Sequence, residues 1–169
     1  MEKAKKSRLA RLSLLLGIVA MASGFGLGLF SCRIPDLGVQ SGQLTPCPER
    51  PNCVCSQDPK ESHRVEPIAL AGELGEDIDA AWRKAKALVA AWPRSVLLEE
   101  TPEYVRYQCA SLVFRFKDDI ELLLDRDQKL IHVRAGARVG YSDMGVNRKR
   151  VEKLREELSK ASKRESKND

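Results

Sequence analysis

The residues best suited to chemistry are three arginines in the last third of the chain. Arg134 and Arg138 lie four positions apart in a segment where apolar and polar residues alternate, so both side chains project from one face of a predicted strand. Arg148 follows at the start of a predicted helix. Arginine forks and helix N-termini both bind anions. The spacing therefore predicts one convergent anion-binding site.

Polar residues near these arginines complete the candidate site: Asp118, Asp119, Tyr141 and Asn147. The two aspartates are adjacent in a predicted turn, so we expect their side chains to diverge rather than form an acid/base pair. Together with Asp143 they offer an alternative, in which they pair the arginines in a structural network. Asn147 falls on the apolar stripe of its helix and needs hydrogen-bond partners there, most simply in the preceding GYSDMG loop.

Catalysis is the second hypothesis, with His63 as a general base beside Asp118 or Asp119 in a hydrolase-like or metal-dependent enzyme. No nucleophile elbow, phosphate-binding glycine loop or HExxH motif accompanies this histidine. We therefore favour a non-enzymatic module that binds a small anionic ligand or a protein partner, and we predict no cofactor.

The cysteines indicate disulfide chemistry. The chain has five cysteines, at positions 32, 47, 53, 55 and 109. If Cys32 carries lipid, four remain, an even number that suggests disulfides in an oxidising compartment. A Cys53–Cys55 ring would be strained, so we favour Cys47 with Cys53 and Cys55 with Cys109, while the crossed pairing stays open. A metal site that adds His63 has the spacing C-x5-C-x-C-x7-H, which is not a standard zinc spacing, and we predict no metal.

The start of the chain has the pattern of an export signal. The basic start of the chain is followed by an uncharged stretch, residues 12–31, which is the layout of a secretory leader. Leu29 and Ser31 before Cys32 resemble the lipobox of bacterial lipoproteins, although Phe30 departs from it. The resemblance implies a signal peptide over residues 1–31 and a lipid on Cys32. The alternative is an uncleaved membrane anchor, since 20 uncharged residues can span a bilayer.

Either attachment places the domain in the cell envelope, on the membrane and facing the periplasm or the exterior. The net charge of +5 does not indicate nucleic-acid binding, because the first 13 residues contribute five basic and one acidic side chain. Residues 147–169 are basic, with nine Lys or Arg and five Asp or Glu. They suit a solvated helix face, or alternatively a helix beside anionic lipid.

Two helices and an antiparallel meander are predicted for the domain. Apolar residues at helical spacing predict a helix over 73–92, ended by Pro93, and another over 143–160 with Ser142 as N-cap. Alternating residues predict the strands, at 96–98, 105–116 with a bulge near Ala110, 120–125 and 130–139. The polar composition of residues 117–119 predicts a turn. The predicted class is α+β, with an antiparallel sheet packed against two helices.

The predicted organisation is a flexible tether over residues 32–46, one globular domain over 47–160 and a disordered tail over 161–169. Three segments, CPERPNCVCSQ, VFRFKDDIELLLD and VRAGARVGYSDMGVNRKRVEKLREEL, resemble the domain of unknown function 1499 family over residues 47–158. The resemblance implies a protein often found behind an export signal, with no established activity. Cys55 and Gly136 stand where the family has serine. The family's motif positions correspond to Pro51, Asn52, Cys53, Phe116, Asp118, Asp119, Arg134, Arg138, Gly140, Tyr141, Ser142, Asp143, Gly145, Asn147 and Arg148.

Overall fold

The computed structural model describes residues 33–112 and 115–165, so the predicted leader and Cys32 lie outside it. The fold is α+β, as predicted. The strands are β1 (Val39–Gln40), β2 (Gln43–Leu44), β3 (Cys53–Cys55), β4 (Ile68–Ala69), β5 (Ser95–Glu100), β6 (Tyr104–Ala110), β7 (Lys117–Asp125) and β8 (Leu130–Ala137). The helices are α1 (Glu73–Glu76), α2 (Ile78–Ala90) and α3 (Val146–Glu165).

An antiparallel sheet of six strands forms the centre of the molecule, in the order β3-β8-β7-β6-β5, with β4 also paired to β8. Helices α2 and α3 cover its first face, where Val89, Leu122, Val133 and Leu154 are fully buried. Burying a side chain of this size contributes roughly 1.5–3 kcal/mol. We call this surface the apolar face.

The second face of the sheet is covered by residues 33–47, which we call the strap. Its β1–β2 hairpin buries Leu44, and the carbonyl oxygen of Pro35 accepts a hydrogen bond from Arg106 Nη2 at 3.1 Å. Residues 33–46 therefore pack on the domain, in contrast to the flexible tether predicted there. We call the surface under the strap the charged face.

The β6–β7 connection differs from the prediction. Strand β6 ends at Ala110, which pairs with Lys117, and Ser111 N donates to the carbonyl oxygen of Phe116 at 2.9 Å. Asp118 and Asp119 therefore lie within β7 instead of in a turn, and the described residues of the connection, 111–112 and 115–116, do not continue the strand past Ala110. Two adjacent carboxylates fit in a buried strand because arginines on both faces of the sheet pair with them.

The helix ends also differ in detail. The first predicted helix is divided at Asp77, whose carboxylate accepts from Ala80 N at 2.8 Å and caps α2. Asp143, not Ser142, provides the cap before α3, because its carboxylate accepts from Asn147 N at 2.8 Å. The last helix continues to Glu165, beyond the predicted end at residue 160. Within the described residues, no helix is long and apolar enough to cross a membrane.

Candidate functional site

Alternate residues of three neighbouring strands bring ionisable side chains together on the charged face. Arg106 in β6, Asp119 and Glu121 in β7, and Arg134 in β8 are all buried there. The strand register sets Glu121 directly between Arg106 and Arg134, so opposite charges face each other across both strand pairs. The sequence predicts Asp119 and Arg134 as site residues but not Arg106 or Glu121.

Asp119 is the centre of this cluster. Arg106 Nε donates to its Oδ1 at 3.0 Å, and Arg138 Nε donates to its Oδ2 at 2.7 Å. Second bonds to Oδ1 run from Arg106 Nη2 at 2.9 Å and from Arg138 Nη2 at 2.8 Å. One buried carboxylate thus holds two guanidinium groups, in the charge-assisted geometry that makes such bonds strong.

Glu121 forms the second half of the cluster. Arg134 Nη1 donates to Glu121 Oε2 at 2.9 Å, and the Tyr104 hydroxyl donates to Oε1 at 2.8 Å. Burial raises the pKa of Glu121, and the attraction of Arg134 opposes that rise. Burial, and to a smaller extent the charge of Glu121, raises the pKa of Tyr104, so this phenol remains a hydrogen-bond donor.

A pocket of about 440 Å³ lies between the strap and the charged face. We call it the strap pocket. Its residues include Arg50, which is exposed, and Asp119, Arg134 and Arg138 from the sheet. Asn52, which is 2% exposed, and Arg134, which is 5% exposed, both line it. Asn52 Oδ1 and Arg134 Nε have no hydrogen-bond partner among the described residues.

A disulfide forms one wall of the strap pocket and confirms the predicted Cys47–Cys53 pair. Gly136 lies beneath it, where an added Cβ would come within 3.1 Å of Cys53 Sγ. A side chain at Gly136 would therefore press on the disulfide. The pair also uses two of the four residues that the alternative zinc site needed.

The second predicted disulfide is wrong, because Cys55 and Cys109 are both free and buried. Cys55 packs on the charged face with Leu44 and Tyr104, whereas Cys109 belongs to the core of the apolar face. Their strands are three positions apart in the sheet, roughly 14 Å at the usual strand spacing, which a disulfide cannot bridge. Burial raises the pKa of both thiols.

Asp118 points away from the strap pocket, so the two aspartates diverge as expected. Arg150 Nη1 donates to Asp118 Oδ2 at 2.7 Å and to Asn147 Oδ1 at 2.6 Å. Burial raises the pKa of Asp118, with Arg150 opposing. Asn147 Nδ2 donates to the Asn52 carbonyl oxygen at 3.3 Å, and Asn52 Nδ2 donates to that of Gly140 at 2.8 Å. Asn147 therefore helps to position the loop after β8 through Asn52.

Arg148 does not join the other two arginines, so the predicted convergence of all three is wrong. Its Nη1 and Nη2 donate to the carbonyl oxygens of Arg64 and Ser62, at 3.1 and 3.3 Å, and it lines a different cavity. The reason is topological, since α3 packs on the apolar face while Arg134 and Arg138 lie on the charged face. Tyr141 is 74% exposed and does not line the strap pocket.

The residues of the enzymatic alternative are separated. His63 is buried, with Nδ1 3.1 Å from the carbonyl oxygen of Cys53. Asp118 and Asp119 lie on opposite faces of β7, and each is engaged by arginine. Across residues 33–112 and 115–165, no group of three His, Cys, Asp or Glu side chains is arranged to hold a metal ion.

Comparisons with known proteins agree with the resemblance found in the sequence. No curated protein and no solved structure matches the chain. A family model described as "Protein of unknown function (DUF1499)" matches residues 43–158, which include the end of the strap, the sheet and most of α3. The chain therefore belongs to the DUF1499 family.

Proposed function

We propose that this protein is a membrane-anchored envelope module that binds a small anionic ligand in the strap pocket and does not catalyse a reaction. The leader and the lipobox-like residues before Cys32 support the anchor. The residues that line the strap pocket support the ligand. A volume of about 440 Å³ suits a small molecule.

One observation carries the binding proposal: a donor, Arg134 Nε, and an acceptor, Asn52 Oδ1, are both buried and have no partner among the described residues, and both residues line the same pocket. An unsatisfied buried polar group costs about 1–3 kcal/mol. A ligand that reached these covered atoms with an acceptor for the first and a donor for the second would recover that cost. The site thus favours a carboxylate with a neighbouring hydroxyl or amino group.

The charges around the strap pocket favour an anion. Arg50, Arg134 and Arg138 line it, against one carboxylate, Asp119. That carboxylate already accepts four hydrogen bonds from two guanidinium groups, so it is a poor general base. Arg50 is exposed and adds positive potential where a ligand would enter. These features support binding without catalysis.

The test uses NMR of arginine Nε–H groups with glycolate as probe, a carboxylate with a neighbouring hydroxyl, and acetate for comparison. In the full-length protein we expect glycolate to shift the Arg134 Nε–H resonance, and acetate to bind more weakly because it leaves Asn52 Oδ1 unpaired. Arg134→Lys keeps a cation beside Glu121 but removes the Nε donor. Losing a charge-assisted bond of about 1.5–3 kcal/mol predicts at least tenfold weaker binding.

Arg83→Lys is the matched control, because it makes the same change at an exposed arginine on α2, outside the strap pocket. It should leave glycolate binding unchanged. Circular dichroism of Arg134→Lys verifies that the variant folds. Equal glycolate affinity in the wild type and a folded Arg134→Lys variant, or no response of the Arg134 resonance to either carboxylate, would reject the proposed site.

A further inference from the structure

One end of the domain is formed by loops that the strand register brings together. Ser95 pairs with Cys109, Ala110 with Lys117, and Asp118 with Ala137. The start of β5, the end of β6, the start of β7 and the end of β8 therefore lie side by side, and α3 begins there. We call this surface the loop end and define it as residues 93–94, 111–112, 115–116 and 138–149.

The loop end exposes apolar side chains. Leu112 is 74% exposed, Tyr141 74%, Met144 89% and Val146 45%. Met144 also has φ of 52°, a left-handed conformation that L-residues rarely adopt, and it turns a large apolar side chain outward. Exposed apolar groups clustered on one surface mark a contact site.

Cations surround these apolar groups. Arg94, Arg115 and Lys149 are exposed at the loop end, and Arg94, Val146 and Lys149 line one cavity. Asp143 is the single acidic residue of the described loop end, and its carboxylate is used by the amides of Gly145 and Asn147. An apolar cluster within a basic rim is complementary to a bilayer surface that carries anionic lipid.

Toward the N-terminus the strap runs from the opposite end of the sheet in the direction of the loop end. Val39 shares a cavity with Asp125 at the opposite end, whereas Pro35 lines the strap pocket, as do Ala137 and Arg138, which end β8 and begin the loop after it. Cys32 precedes Pro35 by three residues, and three residues of chain span at most roughly 11 Å however they fold. A lipid on Cys32 would thus hold the loop end close to the bilayer.

We propose that the loop end is a membrane-binding surface, whose apolar side chains enter the headgroup region of the bilayer while Arg94, Arg115 and Lys149 contact anionic lipid. This inference rests on the proposed anchor. The opposite end differs in charge: Val39 is exposed there, but it shares a cavity with three acidic residues, Glu103, Asp125 and Asp127, and one arginine, Arg126.

The test uses full-length protein reconstituted in vesicles whose lipids carry brominated acyl chains, which quench tryptophan fluorescence on contact. In vesicles with anionic lipid we expect Tyr141→Trp to be quenched several times more strongly than Val39→Trp, the matched exposed apolar position at the opposite end. The buried Trp82 and Trp92 give a background that the wild type measures. Replacing Arg94, Arg115 and Lys149 with Gln should reduce the quenching of Tyr141→Trp.

Flotation of the same vesicles separates the two proposals. Protein that floats while Tyr141→Trp and Val39→Trp are quenched equally would overturn the membrane-binding surface and leave the anchor intact. Protein that does not float would overturn the anchor and, with it, the surface. Protein that floats, with Tyr141→Trp quenched selectively and less so after the three Gln substitutions, supports both.

Discussion

The two faces of the sheet are equally buried at their centre, along β7, but differ in chemistry. Along β7, Ile120 and Leu122 pack under the helices, while Asp119 and Glu121 lie under the strap as deeply buried as their apolar neighbours. The apolar face is stabilised by area removed from water, a term that depends little on direction. The charged face depends on directed bonds between specific partners. Burial alone therefore does not identify the structural core of this molecule.

This difference predicts different responses to substitution. An apolar core accepts residues of similar volume with modest losses. A buried ion network loses stability sharply when one member is removed, because its partners stay buried without their counter-charge. The strap pocket adjoins the charged face, where Arg134 Nε and Asn52 Oδ1 have no partner in the described chain. We infer that this face is organised for binding as well as for stability.

The largest effect is expected for Asp119→Ala. The substitution leaves the guanidinium groups of Arg106 and Arg138 in place without the carboxylate that both bind. Breaking a buried pair in this way costs about 3–5 kcal/mol, which urea unfolding followed by circular dichroism will measure.

Asp79→Ala is the surface control for this comparison. Asp79 pairs with Arg126 at 2.9 Å, but both side chains are exposed, and such pairs contribute less than about 1 kcal/mol. If Asp119→Ala costs no more than Asp79→Ala, the charged face does not stabilise the fold and the contrast between the two faces fails.

The two faces of the sheet differ in how far the sequence predicts them. The apolar face follows from alternation in β6, β7 and β8 and from the helical spacing of residues such as Val89 and Leu154, because both patterns are local. On the charged face, Arg106 and Glu121 occupy polar positions that local alternation assigns to solvent. The available signal is the opposite charge of register partners, Arg106 with Glu121 and Glu121 with Arg134, which requires the strand register first.

The predictions that the structure contradicts failed for the same reason, because they depend on partners distant in the sequence. Lys117, Asp118 and Asp119 have the composition of a turn, and only partners distant in sequence make them a strand. The Cys55–Cys109 pair satisfied cysteine counting, but sheet order separates the two thiols. The convergence of Arg148 with Arg134 failed because a helix that follows a strand can return over either face of the sheet.

An intermediate loss of stability is expected when the disulfide that links the strap to the charged face is removed. Cys47 and Cys53 are six positions apart, and closing so short a loop contributes about 2 kcal/mol in the chain-entropy treatment. Reductant should lower the free energy of unfolding of the wild type by about this amount, and the double substitution Cys47→Ala with Cys53→Ala should do the same.

The double variant is its own control, because reductant should not destabilise it further. On the apolar face Cys109 is a free thiol, so Cys109→Ala should keep the full response to reductant. A wild type whose stability does not change on reduction would mean that the strap packs without help from the disulfide.

The smallest expected effect is a change of stability with pH. It tests whether the buried carboxyl group of Glu121 on the charged face destabilises the fold. Burial raises the pKa of Glu121 above its unfolded value of 4.5, against the attraction of Arg134. A carboxyl group whose pKa is raised by folding contributes stability that is full below the unfolded pKa and is lost as pH rises through the folded pKa. Glu121→Gln cannot ionise, yet its amide oxygen still accepts from Arg134. We therefore expect the wild type to lose stability relative to Glu121→Gln as pH rises from 4 to 7, measured as the difference between urea unfolding free energies.

Asp118→Asn, on the opposite face, should show the same sign, because burial raises the pKa of Asp118 as well. The opposite slope for Glu121 would mean that the ion pair with Arg134 outweighs burial, and the charged face would then stabilise the fold by its charges as the apolar face does by its area.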